Sequence, residues 1–162
     1  MECFELRVYQ LRTKSLNISP HDLFSVDKKR ITRYIDKLNH IEEALNDIRE
    51  WINEALNDKK TKLAVYKTTQ EAVEAMCDIV AMYLKDNGIP PKDDYTNINK
   101  WGELSSQKEL SNCLKIANGL RNRLVHHYNG LNDKLAIESI KEIAPCLEEF
   151  VKVTKKWLQE MI

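Results

Sequence analysis

The sequence predicts an all-α protein, an antiparallel bundle of four or five helices. Glycine and proline are scarce, at four each in 162 residues, while 31% of residues are charged and 43% apolar. That mixture, rich in Leu, Ile, Lys and Glu, favours helix over sheet. Apolar residues also recur at three- and four-residue steps over long stretches, as in helices that bury one face. The breaks between these stretches are short and polar. The length suits one domain with a substantial core and no need of staples.

Composition narrows the function classes. Lys+Arg and Asp+Glu both number 25, so the whole molecule has no net attraction for nucleic acid. Any RNA contact must come from a local patch. Cys3, Cys77, Cys113 and Cys146 are far apart and form no CxxC or Cys-His pair, which argues against zinc. No cofactor-binding pattern and no glycine-rich phosphate loop is present. Without a signal-type apolar region or an apolar run near membrane-spanning length, the chain reads as cytosolic, with its cysteines as buried free thiols and no membrane association.

Taken in order, residues 1–27 read as an N-terminal extension or arm and 28–162 as the bundle. Phe4, Leu6 and Val8 alternate with Glu5, Arg7 and Tyr9, which hints at a short strand, and Ser19-Pro20 marks a break. A first helix is expected over about 27–57, with Asp27 as N-cap. Ile31, Ile35, Leu38, Ile41, Leu45, Ile48, Ile52 and Ala55 form its stripe. A second runs over about 61–86 through Leu63, Tyr66, Thr69, Ala72, Val73, Met76, Ile79, Val80 and Tyr83, and Gly88 stops it. Met76, Met82 and Cys77 read as adaptable core filler. Residues 87–105 read as a loop anchored by Trp101 and Leu104. A third helix starts near Ser106 and carries Leu110, Leu114, Ala117, Leu120, Leu124 and Val125. The last spans about 134–161, from Leu135 to Leu158, with a kink expected at Pro145.

The third helix runs into Arg121-Asn122-Arg123-Leu124-Val125-His126-His127-Tyr128, which holds half of the protein's histidines. Arginine grips an oxyanion with a charged fork, and histidine moves protons near neutral pH. Together they suit metal-free cleavage of RNA. His126 would serve as general base toward a ribose 2′-OH or as general acid to the leaving oxygen. Arg121 would stabilise charge on the phosphorus, and Asn122 would orient His126. At about 100° per residue, Arg121 and His126 diverge by about 140° on a straight helix. Either the helix unwinds near His126 or Arg121 meets His126 of a second subunit, and the spacing fits the dimer better. On the residues alone, a helix C-terminus dressed with dipole-favouring cations is the simpler reading of Arg-x4-His, because both residues are common at helix ends. Lys59-Lys60-Thr61-Lys62 reads as a solvated turn.

The eight residues resemble the Arg-Asn-x-x-x-His-x-Tyr signature of HepT-like proteins of the HEPN superfamily. The similarity spans roughly 28–160, with Ala72, Asp78-Ile79, Gly88, Pro91, Tyr95 and Leu120 in matching places. The resemblance implies a bundle that forms a homodimer with paired motifs facing a shared cleft. It implies a metal-independent ribonuclease toxin of a type VII toxin–antitoxin pair, acting on mRNA or tRNA beside a nucleotidyltransferase (MntA-like) antitoxin. On that analogy Arg121 and His126 are catalytic, Asn122 belongs to the same polar site, and Tyr128 is the tyrosine that the antitoxin AMPylates. The alternative is a non-catalytic HEPN-type substrate-binding partner of a minimal nucleotidyltransferase; the complete Arg/His/Tyr motif favours the toxin.

Overall fold

The structure, a computed structural model, describes residues 20–126 and 130–161, with side chains from Lys28 onward. Five helices and no strand occur among them: α1 Pro20–Trp51, α2 Lys59–Asp86, α3 Asp94–Leu104, α4 Lys108–His126 and α5 Asp133–Met161. The chain divides into two units, residues 1–34 and 35–162. In the first, the Thr32 hydroxyl donates to the Lys28 carbonyl (3.0 Å), and the Arg30 guanidinium lies 5.7 Å from the centre of the Tyr34 ring. The bundle is the second unit.

Local chemistry sets the helix ends. Asp58 caps α2, accepting from the Thr61 backbone N–H and hydroxyl, both at 2.7 Å. These two bonds draw the Asp58 carboxyl below its ordinary pKa, the hydroxyl more than the backbone. Asp93 does the same for α3 through Thr96. At the other end of α2, Gly88 takes φ 75°. Its N–H donates to the Lys85 carbonyl (3.0 Å) and that of Ile89 to Leu84 (2.9 Å), the paired bonds of a Schellman stop.

The interior is a continuous apolar core. Leu38, Ile41, Leu45 and Ile48 of α1 are buried with Val65, Val73, Met76 and Val80 of α2. Leu114, Ala117, Leu120 and Leu124 of α4 join Ile140, Leu147, Phe150 and Val151 of α5. Each large apolar side chain contributes about 1.5–3 kcal/mol. Ion pairs mark the register. Glu42 meets Lys155 at 2.7 Å, and seven residues further along α1, Arg49 meets Glu148, seven residues earlier in α5. The two helices are thus antiparallel. Lys62–Asp133 and Tyr83–Trp157 advance together, so α2 and α5 run parallel. Each of the three ion pairs has a solvated member and is worth about 1 kcal/mol at most, so the core holds the bundle and the charges only align it.

Several expectations need correction. Helix α1 begins at Pro20, a residue suited to a first helical position, so Asp27 lies inside it. It ends at Trp51, and the buried Ile52 and Ala55 sit in the following turns. Residues 94–104 form α3 rather than loop; Trp101 is an anchor, 2% exposed, but Leu104 is 43% exposed. Ile35, Leu63, Val125 and Leu135 face out. In line with its expected span, helix α5 runs through Pro145, which is exposed, so water can serve the carbonyl that loses its N–H partner. The strand suggested near residues 4–9 lies outside the described residues. No helix among the described residues is long and apolar enough to cross a membrane.

The cysteines differ most. Cys77 is free and buried, as expected, but Cys113 of α4 and Cys146 of α5 form a disulfide, with Cα atoms 6.3 Å apart. Helix packing brings together two residues 33 apart in sequence. Closing a loop of that length stabilises by roughly 3–4 kcal/mol in the chain-entropy view. We expect reductant to lower the melting midpoint by roughly 10 °C, and the Cys113→Ser/Cys146→Ser double variant to ignore it. A wild-type chain that alkylates fully when denatured without reductant would contradict the pairing.

Candidate functional site

The motif lies at the C-terminal end of α4, a helix whose inward face is Ser111, Leu114, Ala117, Asn118, Leu120 and Leu124. Three- and four-residue steps put these on one stripe. Ser111 and Asn118 are its polar members; Asn118 is only 1% exposed in an apolar setting, and a buried amide must find partners. Its Oδ1 accepts from Arg121 Nη2 at 3.0 Å, one turn along the helix, and from the Cys77 thiol of α2 at 3.7 Å.

Arg121 Nη2 also donates to Asp94 Oδ2 at 2.7 Å, in the first turn of α3. The Arg121 side chain is 22% exposed and that of Asp94 39%. Arg121 Nε is buried and has no hydrogen-bond partner among the described residues. Cys77 stays a neutral thiol in this setting. Burial pushes its pKa up to about 12, the Asp94 charge adds to that, and the Arg121 charge pulls the other way. Helix α3 reaches the motif helix because of two glycines. A β-carbon at Gly102 would fall 2.4 Å from Cβ of Ser111, and one at Gly119 would fall 3.0 Å from the Tyr95 hydroxyl.

The other motif residues diverge. Asn122 is half-buried and His126, the last residue of α4, is exposed. Because α4 stays helical through His126, unwinding does not bring His126 round to Arg121. The two remain about 140° apart on one helix. Arg123 is exposed, and His127 and Tyr128 lie outside the described residues.

Asp94, Asn118 and Cys77 thus surround the arginine, and only Asn118, three residues before Arg121, had a signal in local spacing. Of the basic run at 59–62, Lys59 and Lys60 are exposed, whereas Lys62 binds Asp133 at 2.5 Å. The Tyr66 hydroxyl donates to the same carboxylate at 2.7 Å. Lys62 first, then Tyr66, holds the Asp133 carboxyl below its ordinary pKa. Burial, with Asp133 second, pushes the Tyr66 hydroxyl well up. Lys62 is therefore already neutralised and ties α2 to the start of α5.

Among the described residues no cluster of three or more His, Cys, Asp or Glu converges on a point. A groove of about 540 Å³ lined by Tyr83, Trp101, Thr154 and Trp157 lies toward the C-terminal ends of α2 and α5, away from the motif.

The family profile described as "Ribonuclease HepT-like" matches residues 36–154. A protein of Archaeoglobus fulgidus named "Putative RNase" is 34% identical over 133 residues, covering 82% of this chain and 98% of that one. A second Archaeoglobus fulgidus protein of the same name is 37% identical over 127 residues, covering 78% of this chain and 94% of its own. Among solved structures, the tri-AMPylated Shewanella oneidensis HEPN toxin, in complex with MNT antitoxin, superposes with a TM-score of 0.71 at 22% identity. It covers 76% of this chain and 97% of that one. At that identity the likeness establishes the fold, and the profile and the relatives supply the family. The chain belongs to the ribonuclease HepT-like family.

Proposed function

We propose that the protein is a metal-independent RNA endonuclease, the toxin of a type VII toxin–antitoxin pair, and that it acts in the cytoplasm as a homodimer. The observation that carries this reading is the presence of a fixed, part-buried Arg121 and an exposed His126 at one helix end. The family membership of the chain supports it.

In the proposed reaction the His126 imidazole takes the proton from a ribose 2′-OH. The 2′-oxygen attacks the adjacent phosphorus, and the P–O5′ bond breaks as the departing 5′-oxygen gains a proton. A 2′,3′-cyclic phosphate and a 5′-OH remain. The Arg121 guanidinium offsets the extra negative charge on the phosphorane, where a pre-placed cation is most effective. Asn122 supports the same polar site. Since Arg121 and His126 diverge within one protomer, Arg121 of one subunit is paired with His126 of the other across a two-fold axis. The axis duplicates the Arg121–His126 pair, so the dimer holds two equivalent sites, each with one Arg121 from one subunit and one His126 from the other.

This arrangement has a distinctive genetic signature. Purified Arg121→Ala and His126→Ala variants are each expected to lose RNA cleavage measured in EDTA. Unfolded together and refolded as a one-to-one mixture, they should recover about a quarter of wild-type activity. Half the dimers are then mixed, and each mixed dimer has one intact site. Two dead variants that stay dead when mixed would overturn the shared site, and cleavage that survives in both would place catalysis elsewhere. Protein that binds RNA or a nucleotidyltransferase but never cuts would instead fit a non-catalytic partner subunit.

Regulation is proposed at Tyr128. A nucleotidyltransferase antitoxin would transfer AMP from ATP to the phenol oxygen, releasing pyrophosphate. The added phosphodiester would place negative charge and bulk beside the Arg121 anion site and exclude RNA. The AMPylated toxin in complex with its antitoxin among the structural neighbours supports the analogy. Intact-mass measurement after incubation with the partner enzyme and ATP should show AMP-sized additions that are absent in Tyr128→Phe. Equal additions in that variant would move the modification to another residue.

A further inference from the structure

We infer that Asp94 is the positioning residue for Arg121, acting from α3 on a group carried by α4. The inference rests on the reading of Arg121 as the phosphate-binding arginine. An arginine at a helix end has four rotatable side-chain bonds and sweeps a wide volume unless something holds it. Here one nitrogen, Nη2, is shared between a charged acceptor and a buried neutral one. Asp94 Oδ2 lies at 2.7 Å and Asn118 Oδ1 at 3.0 Å.

Asn118 cannot swing away, because it is 1% exposed and also receives the Cys77 thiol. Asp94 in turn is carried on a helix that begins with a closed cap. Asp93 accepts from Thr96, and the buried Asn97 bridges both backbone groups of Lys92, accepting at 2.7 Å and donating at 2.9 Å. Behind it, the Gly102–Ser111 contact fixes the separation of α3 and α4. The guanidinium is thus anchored at one nitrogen from two directions, by groups that are themselves anchored. Burial of the partnerless Nε shows how far the stem is drawn into the bundle.

A group held this way delivers its charge without a search at the moment of reaction, so its loss falls on turnover more than on binding. Asp94 touches no reacting atom; it works through the arginine. The carboxylate also competes with phosphate for the same cation, so a blocking role predicts the opposite result. Removing its charge would then raise activity.

The test uses the full-length protein and a short single-stranded RNA, with kcat and KM measured separately. Asp94→Asn should lower kcat at least tenfold with KM changed less than about threefold. Asp94→Glu should recover most of that loss, and both variants should melt near the wild type. An Asp94→Asn protein with kcat within twofold of wild type or above it, or one impaired only in KM, would overturn the inference.

A second readout does not depend on catalysis. In NMR the Arg121 guanidinium, assigned by its absence in Arg121→Lys, should rotate slowly in the wild type and average in Asp94→Asn. Equal mobility in both overturns the inference even if the protein proves not to be a nuclease. Slow rotation lost in Asp94→Asn, in a protein that cuts no RNA, would instead support positioning and sink the nuclease reading alone.

Discussion

At Gly102, α3 and α4 approach so closely that a β-carbon would fall 2.3 Å from the Ser111 hydroxyl oxygen. That contact, made possible by a missing side chain, lays α3 along the motif helix. The Ser105–Gln107 turn makes it possible in three residues, with Ser106 in the left-handed region at φ 58° and the Gln107 N–H returning to the Gly102 carbonyl at 2.9 Å. Antiparallel from there, α3 brings Tyr95 over Gly119 and Asp94 onto Arg121. The arginine owes its position to a packing contact more than two turns away.

Magnitudes indicate what the Arg121 contacts are for. A part-solvated ion pair contributes about 1 kcal/mol at most, and a neutral hydrogen bond about 1 kcal/mol. Fixing an arginine gives up roughly 2 kcal/mol of rotamer freedom. These terms cancel, so the cluster adds little to the stability of the bundle. Its product is geometry. The stability comes from the apolar face of α4, where Leu114, Leu120 and Leu124 are each 1% exposed or less, and from the disulfide to α5. A disulfide persists only in oxidising surroundings, so in a reducing compartment Cys113 and Cys146 are two thiols and the core alone holds these helices.

Much of this was legible in the residues. Period-3.6 stripes located four helices, because burial of one helix face writes itself directly into local spacing. The Arg121–His126 divergence also followed from helix geometry alone. Helix α3 escaped because Pro90-Pro91, Asp93-Asp94, Asn97, Asn99 and Gly102 have loop chemistry. In fact Asp93 is its cap, Asn97 is a buried bridge and Gly102 is a close contact. Ser19-Pro20 read as a break, whereas Pro20 opens α1. The disulfide and the Asp94–Arg121 pair join residues 33 and 27 positions apart, and no local pattern marks such a pairing.

The central claim is that this helix end cleaves RNA through its own 2′-OH. The most direct measurement compares an RNA cut by the protein in EDTA with the same strand carrying a single 2′-deoxy sugar at the cut site. The account predicts cleavage of the first to a 2′,3′-cyclic phosphate and a 5′-OH, and no cleavage at that position in the second. Equal cutting of both strands would contradict it.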